Sequence, residues 1–221
     1  MGIALFDLDN TIIDGDSDYQ WGNFLADKGV VNKKEYERRN KEFYEQYYRG
    51  ELDVKKYIDF SYKPLADNNL EKLIKLRDEF FNKEIKKLIF SEAEEIISNH
   101  INLGDTIAIV TSTNSFVSKP VADYLNIEHL IASEPEFVNG KFTGNITGEP
   151  CYQDGKVKKV EFWMSENKID REVLSNSAYF YSDSSNDLSL LNVVSNPVAV
   201  NPDKNLETTA KNRKWKILKF R

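Results

Sequence analysis

Residues 3–11 read Ile3-Ala4-Leu5-Phe6-Asp7-Leu8-Asp9-Asn10-Thr11, four apolar residues followed at once by two carboxylates one residue apart. A run that is apolar on both faces suits a central parallel strand, covered on two sides, better than an amphipathic edge strand. Three later stretches have the same form: Ile107-Ala108-Ile109-Val110, Ala178-Tyr179-Phe180-Tyr181 and Pro197-Val198-Ala199-Val200. Each leads through polar or turn-forming residues into apolar residues at helical spacing. Strands alternating with helices predict an α/β fold, a mostly parallel sheet with helices on both faces in three layers.

The helical stretches follow from the same spacing. Ser91 to Asn102 places Ala93, Ile96, Ile97 and Ile101 on one face and stops at Gly104. Asp154 is expected to cap a helix that buries Val157, Val160, Trp163 and Met164. Between Phe137 and Gly148 the pair Asn139-Gly140 predicts a tight hairpin and a small antiparallel flap. Residues 17–90 break the alternation, being charged and helical from Lys33 to Arg49, Asp53 to Tyr62 and Leu70 to Leu88. They predict an inserted helical cap domain, which leaves 1–16 and 91–221 as the α/β core. The insert holds 14 of the chain's 27 aromatic residues, most of them expected to pack its helices together.

A chain of 221 residues has room for one sizeable core, or for a core with a smaller inserted domain. Its net charge of −6 offers no attraction to nucleic acid or anionic lipid, and neither partner is expected. Cys151 is the only cysteine, so no internal disulfide can form, which favours the cytoplasm. The N-terminus lacks the basic start and apolar run of a secretion signal, and no stretch approaches the ~20 apolar residues of a membrane span. Gly2 does not open a myristoylation motif, because Phe6 stands where Ser or Thr is required. The sequence sets no oligomeric state.

Asp7 and Asp9 stand at the carboxyl end of a predicted parallel strand, where open α/β sheets place their ligands. Asp-rich turns are common. A calcium loop is excluded, since Ile12, or Tyr19 for a loop starting at Asp14, occupies the position that needs Gly. A second cluster, Ser182-Asp183-Ser184-Ser185-Asn186-Asp187, follows another predicted strand, which lets Asp183 meet Asp7 in space. Carboxylates brought together repel in a low dielectric, and a hard divalent ion, Mg2+ above all, resolves the conflict. His100 and His129 are expected at solvated surface positions and not in the site. Thr111-Ser112-Thr113-Asn114 precedes a helix starting near Ser115, an arrangement that suits an anion. Alone, Thr111 reads as a helix cap and Lys156 as a surface lysine. Together these features make a phosphoryl-transfer site with a carboxylate nucleophile, an acidic partner, a cation site, a hydroxyl and a lysine.

In order and context they resemble the four motifs of the haloacid dehalogenase superfamily, spanning Asp7 to Asp187. The resemblance implies a Rossmann-type core with an inserted cap, with Asp7 as nucleophile and Asp9 as acid/base. It further implies phosphate binding by Thr111, Ser112 and Lys156 with support from Asn186. Mg2+ would be held by Asp7, Asp183 and the carbonyl of Asp9, with Asp187 supporting its waters. The insert placed directly after the first motif, and Asn196-Pro197-Val198-Ala199-Val200-Asn201-Pro202, are similar to the phosphoserine-phosphatase-like branch, subfamily IB. That branch reads phosphoserine with a cap glutamate and a cap arginine. Here Asp16 stands near the glutamate position, but the segment from Tyr57 to Tyr62 continues into Lys63 without an Arg.

The expected activity is therefore Mg2+-dependent hydrolysis of a small phosphomonoester through an aspartyl-phosphate. Asp16 and Asp18 would overlook an amine-bearing leaving group beside aromatic surfaces. The plainer alternative makes those aromatics cap core and those aspartates solvated. Phosphoserine phosphatase, histidinol-phosphatase and a phosphotransferase on the same site are the alternative activities. Cysteine phosphatase chemistry is excluded because Val157 stands six residues after Cys151 in place of Arg. A phosphate loop is excluded because Gly140-Lys141 and Gly155-Lys156 are followed by Phe142 and Val157.

Overall fold

The computed structural model describes residues 2–220. The chain opens with β1 (Ile3–Phe6) and passes into α1 (Ser17–Asp27), α2 (Lys33–Arg49), α3 (Val54–Ser61), α4 (Lys63–Ala66) and α5 (Leu70–Phe80). Then come α6 (Ser91–Leu103), β2 (Thr106–Asn114), α7 (Ser115–Tyr124), β3 (His129–Val138) and β4 (Lys141–Thr147). The last part holds α8 (Asp154–Glu166), α9 (Glu172–Ser177), β5 (Ala178–Ser182), α10 (Leu188–Leu191), β6 (Asn196–Val200), α11 (Lys204–Arg213) and β7 (Lys216–Leu218).

The seven strands form one sheet in the order β4-β3-β2-β1-β5-β6-β7. Every pairing is parallel except β3 with β4, the hairpin flap turning at Asn139-Gly140. From β1 the chain builds outward through β2 and β3, then returns to β5 on the other side of β1, which makes that junction a topological switch point. Phe6 is in register with both Ile109 and Tyr181, so β1 and β5 finish nearly level while β2 runs on to Asn114.

The unbroken apolar runs are explained by two core layers. Ile3, Leu5, Ala108, Val110, Phe180 and Ala199 face one cluster, while Ala4, Phe6, Ile107, Ile109, Tyr181 and Val198 face the other. Successive residues of a strand point to opposite faces, so a strand covered on both must be apolar throughout. Trp21, Phe24, Leu25, Leu73 and Phe80 of α1 and α5 join the layer that holds Phe6. Only Tyr36, Phe43 and Phe60, on α2 and α3, form a small cluster of their own, with the Tyr36 and Phe60 rings 4.3 Å apart. The segment after β1 thus splits into helices that cover the sheet and a pair that stands over its end. Among the described residues no helix is long and apolar enough to cross a membrane.

Three expectations are corrected. The helix expected over Leu70 to Leu88 stops being α-helical at Phe80 and continues as a π turn over Phe81–Ile85 and a 3-10 turn over Lys86–Leu88. Phe80 and Ile85 are both buried, and a separation of five fits one face of a π turn but not of an α-helix. Asp154 does not cap α8 but is its first residue, its carboxylate taken by the Ser189 hydroxyl. His100 is not a surface residue. It is buried, with Nδ1 2.9 Å from Asp105 Oδ2 and Nε2 2.8 Å from Tyr181 Oη, because both partners are supplied by neighbouring structure. His129 is half-buried, with its ring 5.1 Å from that of Trp163.

Asp105 gives this network a pH signature. Burial would raise its pKa, but the hydrogen bonds from His100 and from the Gly2 N–H prevail and hold it below the ordinary carboxylate range. A lowered folded pKa adds stability above the unfolded value, and that stability is lost as pH falls through the folded one. Thermal denaturation below about pH 4 is expected to show a steeper fall of Tm in the native protein than in Asp105→Asn. Parallel pH profiles would show that the network contributes nothing.

Candidate active site

Asp7 sits one residue beyond β1, its N–H donating to Tyr181 O at 2.9 Å, so the strand ladder carries the carboxylate to the carboxyl end of the central strands. Its Oδ1 accepts from Lys156 Nζ at 2.8 Å. Lys156 is only 1% exposed and lies 2.8 Å from Asp187 as well, donating to its Oδ2. The Ser182 hydroxyl, at the end of β5, donates to the same Oδ2 at 2.7 Å. Gly155 makes this burial possible. A Cβ there would lie 2.2 Å from the Pro150 carbonyl oxygen, so only glycine lets α8 start close enough to place Lys156 beneath Asp7.

The electrostatics of the cluster are unbalanced. Burial works against the Lys156 ammonium, but Asp187 and Asp7 more than offset it and keep the amine charged. Burial raises the Asp7 carboxyl, Lys156 opposes this, and Asp187 and Asp9 add to the rise. Asp183 is raised well above the usual range by burial and then by repulsion from Asp7 and Asp187. No protein donor reaches the Asp183 carboxylate among the described residues. One ammonium thus stands against Asp7, Asp183 and Asp187, with Asp9 close by.

Asp9 is held differently. Its Oδ1 accepts from Ser17 N at 2.5 Å and its Oδ2 from Thr113 Oγ1 at 2.8 Å. Its pKa is pushed up to about 7, first by burial and then by Asp16, against the pull of those hydrogen bonds. The loop that carries it is clamped where Phe90 N donates to Ile12 O and Asp14 N to Leu88 O, at 2.9 and 2.7 Å.

β2 continues past Val110 to Asn114, and Asn114, not Thr111, caps α7 by accepting from Val117 N. Thr111 is fully buried, its Oγ1 accepting from Thr113 N at 3.1 Å, and it does not line the cavity. Ser112 and Thr113 do, and Ser112 donates its hydroxyl to Cys151 O. Asn186 also departs from its expected place. Its Nδ2 donates to Tyr47 O at 3.0 Å, which ties the loop after β5 to the C-terminal turn of α2. Asp16 accepts from Tyr19 N at 2.8 Å as the N-cap of α1, and Asp18 accepts from the Tyr57 hydroxyl. Both are half-buried, line the cavity and are pushed up to about 7, chiefly by burial.

Asp7, Asp9, Asp16, Asp18 and Asp183 all open on one cavity of about 830 Å3, its mouth included. Its far wall is aromatic, from Tyr19, Phe43, Tyr44, Tyr47 and Tyr57, so only part of the insert's aromatic content packs helices together. Thr113 and Tyr57 were not singled out from sequence as site residues. Their partners Asp9 and Asp18 lie 104 and 39 residues away, and no local pattern marks them.

The sequence matches the haloacid dehalogenase-like hydrolase family over residues 4–192. The chain is 39% identical over 220 residues to a histidinol-phosphatase of Neisseria meningitidis, covering 99% of both chains. It is 27% identical over 228 residues to a phosphoserine phosphatase of Mycobacterium tuberculosis, covering 99% of this chain and 70% of that one. A crystal structure of a Bordetella pertussis protein of unknown function superposes with a TM-score of 0.92 at 38% identity, covering 99% and 98% of the two chains. A substrate-bound phosphoserine phosphatase shares the fold, with a TM-score of 0.71 at 19% identity and 98% and 92% coverage. The chain belongs to the haloacid dehalogenase-like hydrolases. Within them it is a phosphatase, a phosphoric monoester hydrolase of the phosphoserine-phosphatase-like kind.

Proposed function

We propose that the protein is a Mg2+-dependent histidinol-phosphate phosphatase working through an aspartyl-phosphate on Asp7. The observation that carries this is the cavity: aromatic walls and the carboxylates Asp16 and Asp18, neither of them in an ion pair, open onto Asp7 and Asp9, with no cationic residue among the described residues of the lining. An amine-bearing, ring-bearing leaving group supplies what that surface lacks, and the N. meningitidis relative is named for such a substrate. A phosphoserine carboxylate would find no cation among the described lining residues to offset Asp16 and Asp18. Of residues 17–90, α2 and α3 act as the cap over the site while α1 and α5 pack on the sheet, and the lone buried thiol of Cys151 agrees with a cytoplasmic enzyme.

Among the described residues no ready-made group of three or more acidic, His or Cys side chains forms a metal cage. Mg2+ needs none, since it keeps several waters and takes one or two carboxylates. The donor-free Asp183 carboxylate, facing Asp7, fits such an ion, with the Asp9 carbonyl as a third oxygen. When bound, the ion would neutralise the crowded oxygens of Asp7 and of the phosphoryl group. Asp7 is the nucleophile, held in line by Lys156. Lys156 and the Ser112 and Thr113 segment bind the phosphoryl oxygens, with Thr111 bracing that segment from below. Asp9, poised near neutrality and aimed by Ser17 and Thr113, protonates the leaving alcohol and then takes a proton from the water that releases Asp7.

The test is turnover of a panel of phosphomonoesters with Mg2+. Histidinol phosphate is expected to exceed phosphoserine in kcat/KM by at least about tenfold, the scale of one charge-assisted contact. Efficient phosphoserine turnover would overturn the assignment. Asp16→Asn keeps a capping oxygen for α1 and removes only the charge. It should cost the amine-bearing ester roughly 1–3 kcal/mol in transition-state binding and barely touch para-nitrophenyl phosphate. Equal losses would assign Asp16 to shape alone. Calorimetric titration of Asp183→Ala should show Mg2+ affinity lost with the fold retained, because the change also relieves repulsion in the metal-free cluster. Unchanged affinity would place the ion elsewhere.

A further inference from the structure

Asp16 is the N-cap of α1 and Asp18 lies in its first turn, and both line the same cavity. Their carboxylates have different partners. Asp16 Oδ1 is committed to the α1 cap. Asp18 is held from the opposite wall, where Tyr57 of α3 donates its hydroxyl to Oδ2, leaving Oδ1 without a protein donor among the described residues. Burial beside Asp18 keeps the Tyr57 phenol protonated, so it acts as a donor. A leaving group with a single amine would satisfy one of these carboxylates and leave the other desolvated and unpaired, a costly state for a charge.

We infer that Asp18, positioned by Tyr57, binds a second nitrogen donor on the leaving group, so that the site selects phosphomonoesters of amino alcohols carrying both an amine and a separate N–H group, and no carboxylate. This rests on the reading of the site as a histidinol-phosphate phosphatase and names the part of it that reads the imidazole. The aromatic side chains of the same cavity supply the flat surface for the ring. Asp16 takes the amine next to the ester, and Asp18 takes the ring N–H at the far end.

The experiment compares histidinol phosphate with phenylalaninol phosphate, which has the same amine and a ring of similar size without nitrogen. Native protein, Asp18→Asn and Tyr57→Phe are assayed on both esters and on para-nitrophenyl phosphate. The native protein should favour histidinol phosphate. Asp18→Asn should lower kcat/KM for that ester by about 10- to 100-fold, mostly in KM, with the other two substrates within about threefold. Tyr57→Phe should give a smaller loss with the same substrate pattern, since the carboxylate remains but is no longer held. A native ratio near one between the two amine esters overturns the inference. So does an Asp18→Asn loss shared equally by both. Either result can coexist with strong preference for histidinol phosphate over phosphoserine, which would leave the proposed activity standing. Failure to hydrolyse either amine ester, with para-nitrophenyl phosphate still turned over, would overturn both.

Discussion

Asp7→Asn is expected to lower kcat by a factor on the order of 10^4 to 10^6, the range seen when an enzyme loses its nucleophile. The amide keeps the shape and an oxygen for Lys156 Nζ, which stands 2.8 Å from Asp7 Oδ1. It removes a negative charge from a cluster in which Asp183 is already raised by burial and then by Asp7 and Asp187. Metal-free stability should consequently hold or rise while activity disappears. A parallel loss of Tm and activity would make Asp7 a structural residue, and near-native turnover would remove it from the reaction.

Lys156→Met should have the largest effect on stability. The lysine pairs with Asp7 and Asp187 at 2.8 Å each, and all three side chains are buried. Removing one partner of a buried pair costs about 3–5 kcal/mol, because the remaining charges stay desolvated without compensation. The pH dependence separates this from a packing loss. Without the ammonium, burial and the neighbouring Asp187 and Asp9 charges raise the Asp7 carboxyl further above its unfolded value. A raised folded pKa means that stability is present at low pH and lost as pH rises through it. The deficit should therefore be greatest above pH 7 and shrink toward pH 5, and Mg2+ should recover part of it. Urea denaturation in chelator at both pH values measures the difference. A deficit independent of pH would point to lost volume and not lost charge.

The strand order and the place of Asp7 were legible because their causes are local. A strand covered on both faces must be apolar throughout, and the first polar residues after it must lie at its end. The surroundings of Lys156 were not legible in that way. Its burial depends on how near Gly155 comes to the Pro150 carbonyl, a tertiary distance with no periodic trace. His100 was misplaced for the same reason, since Tyr181 lies 81 residues away and makes a polar ring tolerable in the core. The insert's aromatics could be counted but not sorted. Tyr36 and Phe60 pack against each other while Tyr44 and Tyr47 line the cavity, and the sequence gives both pairs similar helical settings. Asn186, read from motif order toward the phosphate, holds the Tyr47 carbonyl 139 residues away.

The most direct measurement is to trap the covalent intermediate. Asp9→Asn should be mixed with para-nitrophenyl phosphate and Mg2+, quenched in acid and analysed by peptide mass spectrometry. This leaving group needs no proton, so phosphoryl transfer to the enzyme should proceed, while the missing base slows release by water. One phosphoryl group is expected on the peptide that begins at the N-terminus, attached at Asp7, and none on that peptide when Asp7→Asn is added. Stoichiometric release of para-nitrophenol with no phosphoryl group on Asp7, or with the group on another residue, would contradict the aspartyl-phosphate mechanism.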